Sequence, residues 1–312
     1  MDNETKISNF LKDNSLSHGF MLKMMKELVE AEEAFAPYRD VFKVSIFGSA
    51  RTQEHEADYQ LAKDLAKGCV DNNWMVITGA GPGIMKAGNQ GAGHGHSFGL
   101  RIELPFENEA NDYIKDNNKC LDFDLFFTRK LFFVKEAQAI VALPGGFGTL
   151  DEIFESLTLI QTGKSPMVPV VLLDSEDSNY WDKIDWFSHD NLVKQGLISK
   201  EDPSLFFHAH TVEDAIAHIR SFYRKIKRVD VSDEQLLIYL KDTLSAENIK
   251  CLSEEFADLD ASTWRLGTAH DLKHESVQGF VSCALNYAMA ITPAPTNYGR
   301  IRQLIDAINA IE

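Results

Sequence analysis

Three carboxylates, Asp151, Glu152 and Glu155, crowd the residues just after a Pro-Gly-Gly-Phe-Gly-Thr run from Pro144 to Thr149. The run follows an apolar stretch, "AQAIVAL", and precedes a segment of helical periodicity, so its glycines stand where a buried strand hands over to a helix. Glycine tolerates positive φ and lets a ligand approach backbone N–H groups, and a helix N-terminus adds partial positive charge, so such a loop suits an anion such as a phosphate. Two explanations compete for the acids. Thr149 and Glu152 match a T-x-x-E capping box, and acids near a helix N-terminus are favoured for structural reasons alone. Alternatively, the loop holds the phosphate of a nucleotide, and a carboxylate about one helical turn further on reaches its sugar.

Two further glycine turns follow apolar strands: "GSAR" at Gly48 to Arg51 and "TGAGPG" at Thr78 to Gly83. Neither is a dinucleotide fingerprint, because the third glycine of G-x-G-x-x-G would fall at Ile84, and no loop ends in the Gly-Lys-Ser/Thr of a Walker A motif. Two His-x-His pairs, His94/His96 and His208/His210, invite a metal reading, but neither has companion carboxylates at helical spacing. They are expected to be ordinary loop or strand histidines, and no metal or cofactor is expected.

These loops need a scaffold that brings strand ends together. Strands are expected in "VFKVSIFGSA", "WMVITGAGPG", "SFGLRIEL", "AQAIVALPGG" and "MVPVVLLD", with helical segments such as "ADYQLAKDLAKGCVDN" between several of them. Alternating strands and helices imply an α/β fold: a Rossmann-like, doubly wound parallel sheet whose ligands lie beyond the C-terminal strand ends. An N-terminal helix runs from about Gly19 to Tyr38, and "TVEDAIAHIRSFYRKI" reads as a helix completing the sheet domain. Beyond it, "DEQLLIYLKDTL" and "ESVQGFVSCALNYAMA" read as helices. The expected organisation is a helical segment over 1–40, a nucleotide-binding catalytic domain over 41–228 and a mostly helical extension over 229–312.

The 312 residues are 44% hydrophobic and 25% charged, as in ordinary globular chains. A formal net charge of -16 argues against a nucleic-acid binder, which would need a basic face. The four cysteines are scattered, which fits free thiols in a reducing compartment. The polar, acidic N-terminus is unlike an export signal, and no apolar run is long enough to span a bilayer, so a cytoplasmic protein with no membrane partner is expected.

Together, "LPGGFGTLDEIFESLTLIQTGK", "FFTRKLFFVKEAQAIVALPGG", "TGAGPGIMKAGNQGA", "IFGSAR" and "GLRIELPFE" resemble the Lonely Guy family of nucleoside 5'-monophosphate phosphoribohydrolases, many once mislabelled lysine decarboxylases. The resemblance runs from about Val41 to about Trp186. It implies hydrolysis of the N-glycosidic bond of a nucleoside 5'-monophosphate, giving free base and ribose 5-phosphate. By motif position it implies Arg129 and Glu152 as the catalytic pair. Gly145, Gly146, Gly148 and Thr149 would form the phosphate loop and Gly79, Gly81 and Gly83 the second turn. Ser49, Arg101, Glu103 and Lys130 are further pocket candidates. It also implies a homodimer or higher homo-oligomer. The competing reading is a Rossmann-like carrier that holds a nucleotide or phosphorylated cofactor without cleaving it. A pyridoxal-phosphate lysine decarboxylase is disfavoured, since no cofactor-lysine motif is recognisable.

Overall fold

Short aliphatic runs buried on both faces form the centre of the structure, a computed structural model describing residues 16–102, 109–231, 235–268, 272, 287–292 and 295–311. The strands are β1 (Lys43–Phe47), β2 (Met75–Thr78), β3 (Ser97–Ile102), β4 (Cys120–Phe123), β5 (Ala139–Ala142), β6 (Val170–Leu173) and β7 (Phe206–Ala209). They lie in the order β4-β3-β2-β1-β5-β6-β7, and every neighbouring pair is parallel. Side chains alternate between two cores, as strand geometry requires. Ile140 and Ala142 of β5 face one and Ala139 and Val141 the other; Val170 and Leu172 of β6 are likewise divided from Val171 and Leu173. Burial on both sides is why these strands read as unbroken apolar runs.

Helices α1 (Leu16–Phe35), α4 (Phe126–Lys135) and α5 (Phe147–Gln161) cover one face, contributing Phe35, Phe132, Phe133 and Ile153 to its core. Helices α2 (Ala57–Asp71), α3 (Ile84–Ala92) and α7 (Val212–Phe222) cover the other with Tyr59, Leu65, Ala87 and Ile219. The chain leaves β1 toward β2, β3 and β4, then returns to place β5, β6 and β7 on the opposite side. The crevice between the ends of β1 and β5 is therefore the topological switch point, where a sheet of this kind binds ligands.

The doubly wound sheet is as expected, with two edge strands, β4 and β7, that the sequence reading missed. Both are four residues long and mix polar with apolar positions, so neither makes a periodic signal. The helical reading of the C-terminal extension is corrected. β8 (Ile226–Val231), β9 (Leu236–Leu240), β10 (Trp264–Thr268) and β11 (Tyr287–Ile291) form an antiparallel sheet ordered β10-β11-β9-β8, accompanied by α8 (Ala246–Glu255) and α9 (Tyr298–Ala310). "DEQLLIYLKDTL" carries strand β9 and not a helix: all five of its strand residues are buried, and a short apolar run buried on both faces has no period to separate it from helix. Most of "ESVQGFVSCALNYAMA" lies outside the described residues, and its last four residues are in β11. The boundary expected at 228/229 falls inside β8. Cys69, Cys120 and Cys251 are free thiols, and among the described residues no helix is long and apolar enough to cross a membrane.

Helices α2 and α3 approach so closely that a Cβ at Gly91 would lie 2.0 Å from the Lys63 carbonyl oxygen, a backbone atom that cannot swing aside. Alanine is worth about 1 kcal/mol more than glycine in a helix, but forced overpacking costs about 1–3 kcal/mol. Gly91→Ala is therefore expected to lower the urea midpoint at unchanged m value, against its helix propensity; a raised midpoint would show that the helices can part freely.

Candidate active site

Backbone hydrogen bonds join the three glycine loops. The Ser49 N–H donates to the Pro144 carbonyl at 3.1 Å, and the Ile84 N–H donates to the Ser49 carbonyl at 3.0 Å. Gly83 sits at φ +64°, and a Cβ there would lie 2.2 Å from the Ser49 oxygen, so both the turn and the close approach require glycine. The second turn is held from beneath by a polar cluster that sequence reading did not find. Thr78 Oγ1 donates to Asn89 Oδ1 at 2.8 Å, and Asn111 Nδ2 lies within hydrogen-bonding distance of Asn89 Oδ1 and the Ala80 and Gly81 carbonyls. Asparagine in mid-helix is a weak helix former, and that mismatch was the one available signal.

The loops open onto a cleft of about 900 Å³. Ser49, Gly79, Gly81, Arg101, Arg129, Gly145, Gly146, Gly148, Thr149 and Glu152 all line it, together with Phe47, Met85, Phe126, Phe133 and Phe147. These apolar walls carried no motif and went unnoticed in the sequence. Gly83 lies behind the wall as the pivot of its turn, and Glu103 lies outside the described residues.

Helix α5 begins at Phe147 with Gly146 as its N-cap, and no side chain caps it. That start lies three residues earlier than a Thr149 cap would place it, so the capping-box explanation of Glu152 is corrected. Thr149 instead packs against the loop, where a Cβ on Gly145 would meet its Oγ1 at 2.1 Å. Tyr180, in α6 (Tyr180–Phe187), steadies the same loop by donating its hydroxyl to the Gly145 carbonyl at 2.6 Å. The first N–H groups of α5 thus face the cleft without a side-chain partner, as an anion site needs.

Glu152 points inward from α5 and is only 9% exposed. Burial pushes its carboxyl up to about 7, against the pull of Lys130 and Arg129 and with the push of Glu155 and Asp151. Lys130 answers the puzzle of acids beside an anion loop. Its ammonium lies 2.7 Å from Asp151, 2.8 Å from Glu155 and 3.7 Å from Glu152. Burial alone would lower Lys130, yet these partners hold it above its ordinary value. Arg129 reaches the cleft from α4. Its Nε donates to the Leu100 carbonyl at 2.7 Å, its Nη2 to the Gly79 carbonyl at 3.4 Å, and its guanidinium lies over the Phe133 ring at 5.1 Å. A Cβ on Gly79 would lie 2.3 Å from Nη2, so glycine is what admits the guanidinium. Arg101 pairs with Asp122 on β4. The arrangement offers an ionisable carboxyl, a fixed cation and free N–H donors around one cavity.

The two histidine pairs part company. His94 and His96 are exposed, whereas His208 and His210 meet Asp174.

The family model described as "Possible lysine decarboxylase" matches residues 83–219. A cytokinin riboside 5'-monophosphate phosphoribohydrolase of Arabidopsis thaliana is 28% identical over 170 residues, 54% of this chain and 74% of the relative. A bifunctional cytokinin biosynthesis protein of Fusarium pseudograminearum is 26% identical over 193 residues, and the match spans 55% of this chain but only 39% of the fungal one. A solved molybdenum cofactor carrier protein from Chlamydomonas reinhardtii aligns at 22% identity and a TM-score of 0.41, covering 58% of this chain and 96% of the carrier, a likeness that bears on neither activity nor ligand. The sequence matches bear out the resemblance to the Lonely Guy family.

The Glu152 carboxyl makes stability depend on pH with a definite sign. Its folded value, about 7, is above the ordinary 4.5, so the native state holds a proton that the unfolded state has lost, and stability falls as pH rises between the two. Glu152→Gln removes that penalty without removing a cap. At pH 8 the variant should melt at or above the wild-type temperature, with the gap closing below pH 5, and the full effect is at most on the order of 3 kcal/mol. Thermal scans across pH check this; a variant uniformly less stable would make Glu152 a structural residue.

Proposed function

We propose, with resemblance to the Lonely Guy family as the premise, that this chain hydrolyses the N-glycosidic bond of nucleoside 5'-monophosphates to free base and ribose 5-phosphate. The observation that carries the reading is the buried Glu152 carboxyl, raised to about 7 in a cleft that the uncapped N-terminus of its own helix, α5, also lines. The 5'-phosphate lies on the N–H groups of Gly146 to Thr149. The ribose then lies against Glu152. As the glycosidic bond breaks, the anomeric carbon gains oxocarbenium character, which the Glu152 carboxylate stabilises. Water adds to that carbon and passes a proton to the carboxylate, the bonding electrons leave with the base, and the proton held by Glu152 is returned through solvent to the base, which regenerates the carboxylate. Arg129 cannot lose its proton, so its part is electrostatic: it orients the phosphate or the departing base. Lys130 keeps Glu152 from recruiting Asp151 and Glu155 into like-charge repulsion.

Free base should appear when the protein is incubated with nucleoside 5'-monophosphates, and kcat/KM for a nucleotide should far exceed that for its nucleoside. Equal values would remove the phosphate loop from the account. Glu152→Gln should reduce kcat by about 10²–10⁴ with binding retained. Binding of nucleotides without any release of base would support the carrier reading instead. Because the carboxylate is the working form, kcat/KM should fall about tenfold per unit as pH drops below about 7.

The assembly belongs to the same proposal: a homodimer joined through the outer faces of α1 and α4. Leu22, Met25 and Val29 of α1 and Phe127 and Leu131 of α4 are all exposed, a contiguous kind of apolar surface that soluble monomers rarely present. Phe20 and Phe127 lie side by side with ring centroids 5.9 Å apart, joining the two helices in one patch. Leu131→Asp should shift sedimentation toward monomer. A wild-type protein that stays monomeric at micromolar concentration would contradict the dimer.

A further inference from the structure

Along the same edge of the sheet as the cleft, the carboxyl ends of β6 and β7 bring together groups for which the reaction has no use. The register pairs Leu172 with His208 and Leu173 with Ala209, and side chains two apart on a strand share a face. Asp174 is thereby set beside His208 and His210. Its Oδ1 lies 2.8 Å from His208 Nε2 and 3.1 Å from His210 Nδ1, and the three ligand atoms lie within 4.8 Å of one another. Asp174 is fully buried, and its other oxygen accepts from the Trp181 N–H at 3.3 Å. The second ring nitrogen of His208 faces Asp182 Oδ1 at 3.5 Å, as when a carboxylate orients a ligating imidazole.

A hydrogen bond between Asp174 and His208 explains the shorter contact. It leaves His210 without an account. The His210 Nδ1 is shut off from water and makes no hydrogen bond, although it lies 3.1 Å from a carboxylate oxygen. A buried polar nitrogen left without a partner is uncommon in folded proteins. Nearby, the Asp58 Oδ1 is buried in the same unsatisfied state. The nitrogen and the carboxylate oxygen both have lone pairs to offer one cation.

We propose that Asp174, His208 and His210 form a binding site for a divalent transition-metal ion, zinc being the ion that fits the donor set. Two imidazole nitrogens and one carboxylate oxygen are ligands that zinc takes in tetrahedral sites, with bonds of about 2.0–2.2 Å and one position left for water. Ligand atoms of such a tetrahedron stand roughly 3.3 Å apart, so the two spacings from Asp174 Oδ1 need open by only a few tenths of an ångström. The ion takes the place of the proton in the Asp174–His208 hydrogen bond. Its duty there is structural: it ties β6 to β7 and holds the segment from Asp174 to Trp181, whose Tyr180 hydroxyl supports Gly145.

The test is calorimetric titration of chelator-treated, full-length protein with zinc chloride, with retained zinc measured by elemental analysis after desalting. One zinc per chain at micromolar or tighter affinity is expected, with a rise of several degrees in Tm. His210→Ala, which leaves the Asp174–His208 pair in place, should weaken binding at least tenfold and abolish the rise in Tm, while a His94→Ala/His96→Ala double variant should behave as wild type. Cobalt(II) should give the visible absorption of a tetrahedral site in the wild type and not in the variant. Should His210→Ala fail to fold, His210→Asn gives the same comparison. Wild-type protein that retains no zinc, or a His210 variant that binds it equally well, would overturn the proposal; in the second case the ion is held elsewhere, for example at the exposed Cys251.

Discussion

Burying the Glu152 carboxyl removes solvation that the nearby cations return only in part, and the layout of the cleft follows from that imbalance. Were Lys130 and Arg129 absent, the group would hold its proton to a higher pH. Were it exposed, it would ionise like any surface glutamate. Between these limits it sits close to neutral pH, where a side chain can both hold and release a proton. Each cation is itself tied down. Lys130 spans three acids of α5, and Arg129 is anchored to carbonyls of β3 and of the second glycine turn. The balance is thus a property of two helices and three strand ends held in register, rather than of the pair alone.

That register depends on backbone contact. The chain from Ser49 touches both Pro144 and Ile84, so the turns after β1, β2 and β5 move as one piece. Side chains larger than hydrogen would part them at Gly83 and would push the guanidinium away at Gly79. Buried Thr78 and Asn89 keep the turn polar beneath, and every contact they make within it is satisfied by another group in the cluster. The glycines therefore serve geometry first. The anion site at α5 is what that geometry leaves open.

Much of this was legible in the sequence because glycine, proline and acid at fixed spacing leave few alternatives. The central strands were visible as apolar runs, and their order followed from alternation with helices. What escaped had no local signature. β9 is buried on both faces, so its pattern could not be told from helix, and β4 and β7, at four residues each, are too short to show a period. The T-x-x-E match suggested a cap because local sequence does not say where a helix starts; Gly146, three residues earlier, already takes that place. Asp174 meets His208 across 34 residues of chain, a neighbour that helical spacing within either segment could never reveal. Asn111 reaches Asn89 in the same way.

The central claim is that the buried Glu152 carboxyl changes charge near neutral pH, and infrared difference spectroscopy reads that group directly. Spectra of the wild type minus Glu152→Gln, recorded from pH 4 to pH 9, isolate the C=O stretch of one protonated carboxyl. The account predicts that this band disappears with a midpoint of about 7. A midpoint near the ordinary glutamate value of about 4.3 would mean that water reaches the group freely, and the chemistry placed on Glu152 would have to be sought elsewhere in the cleft.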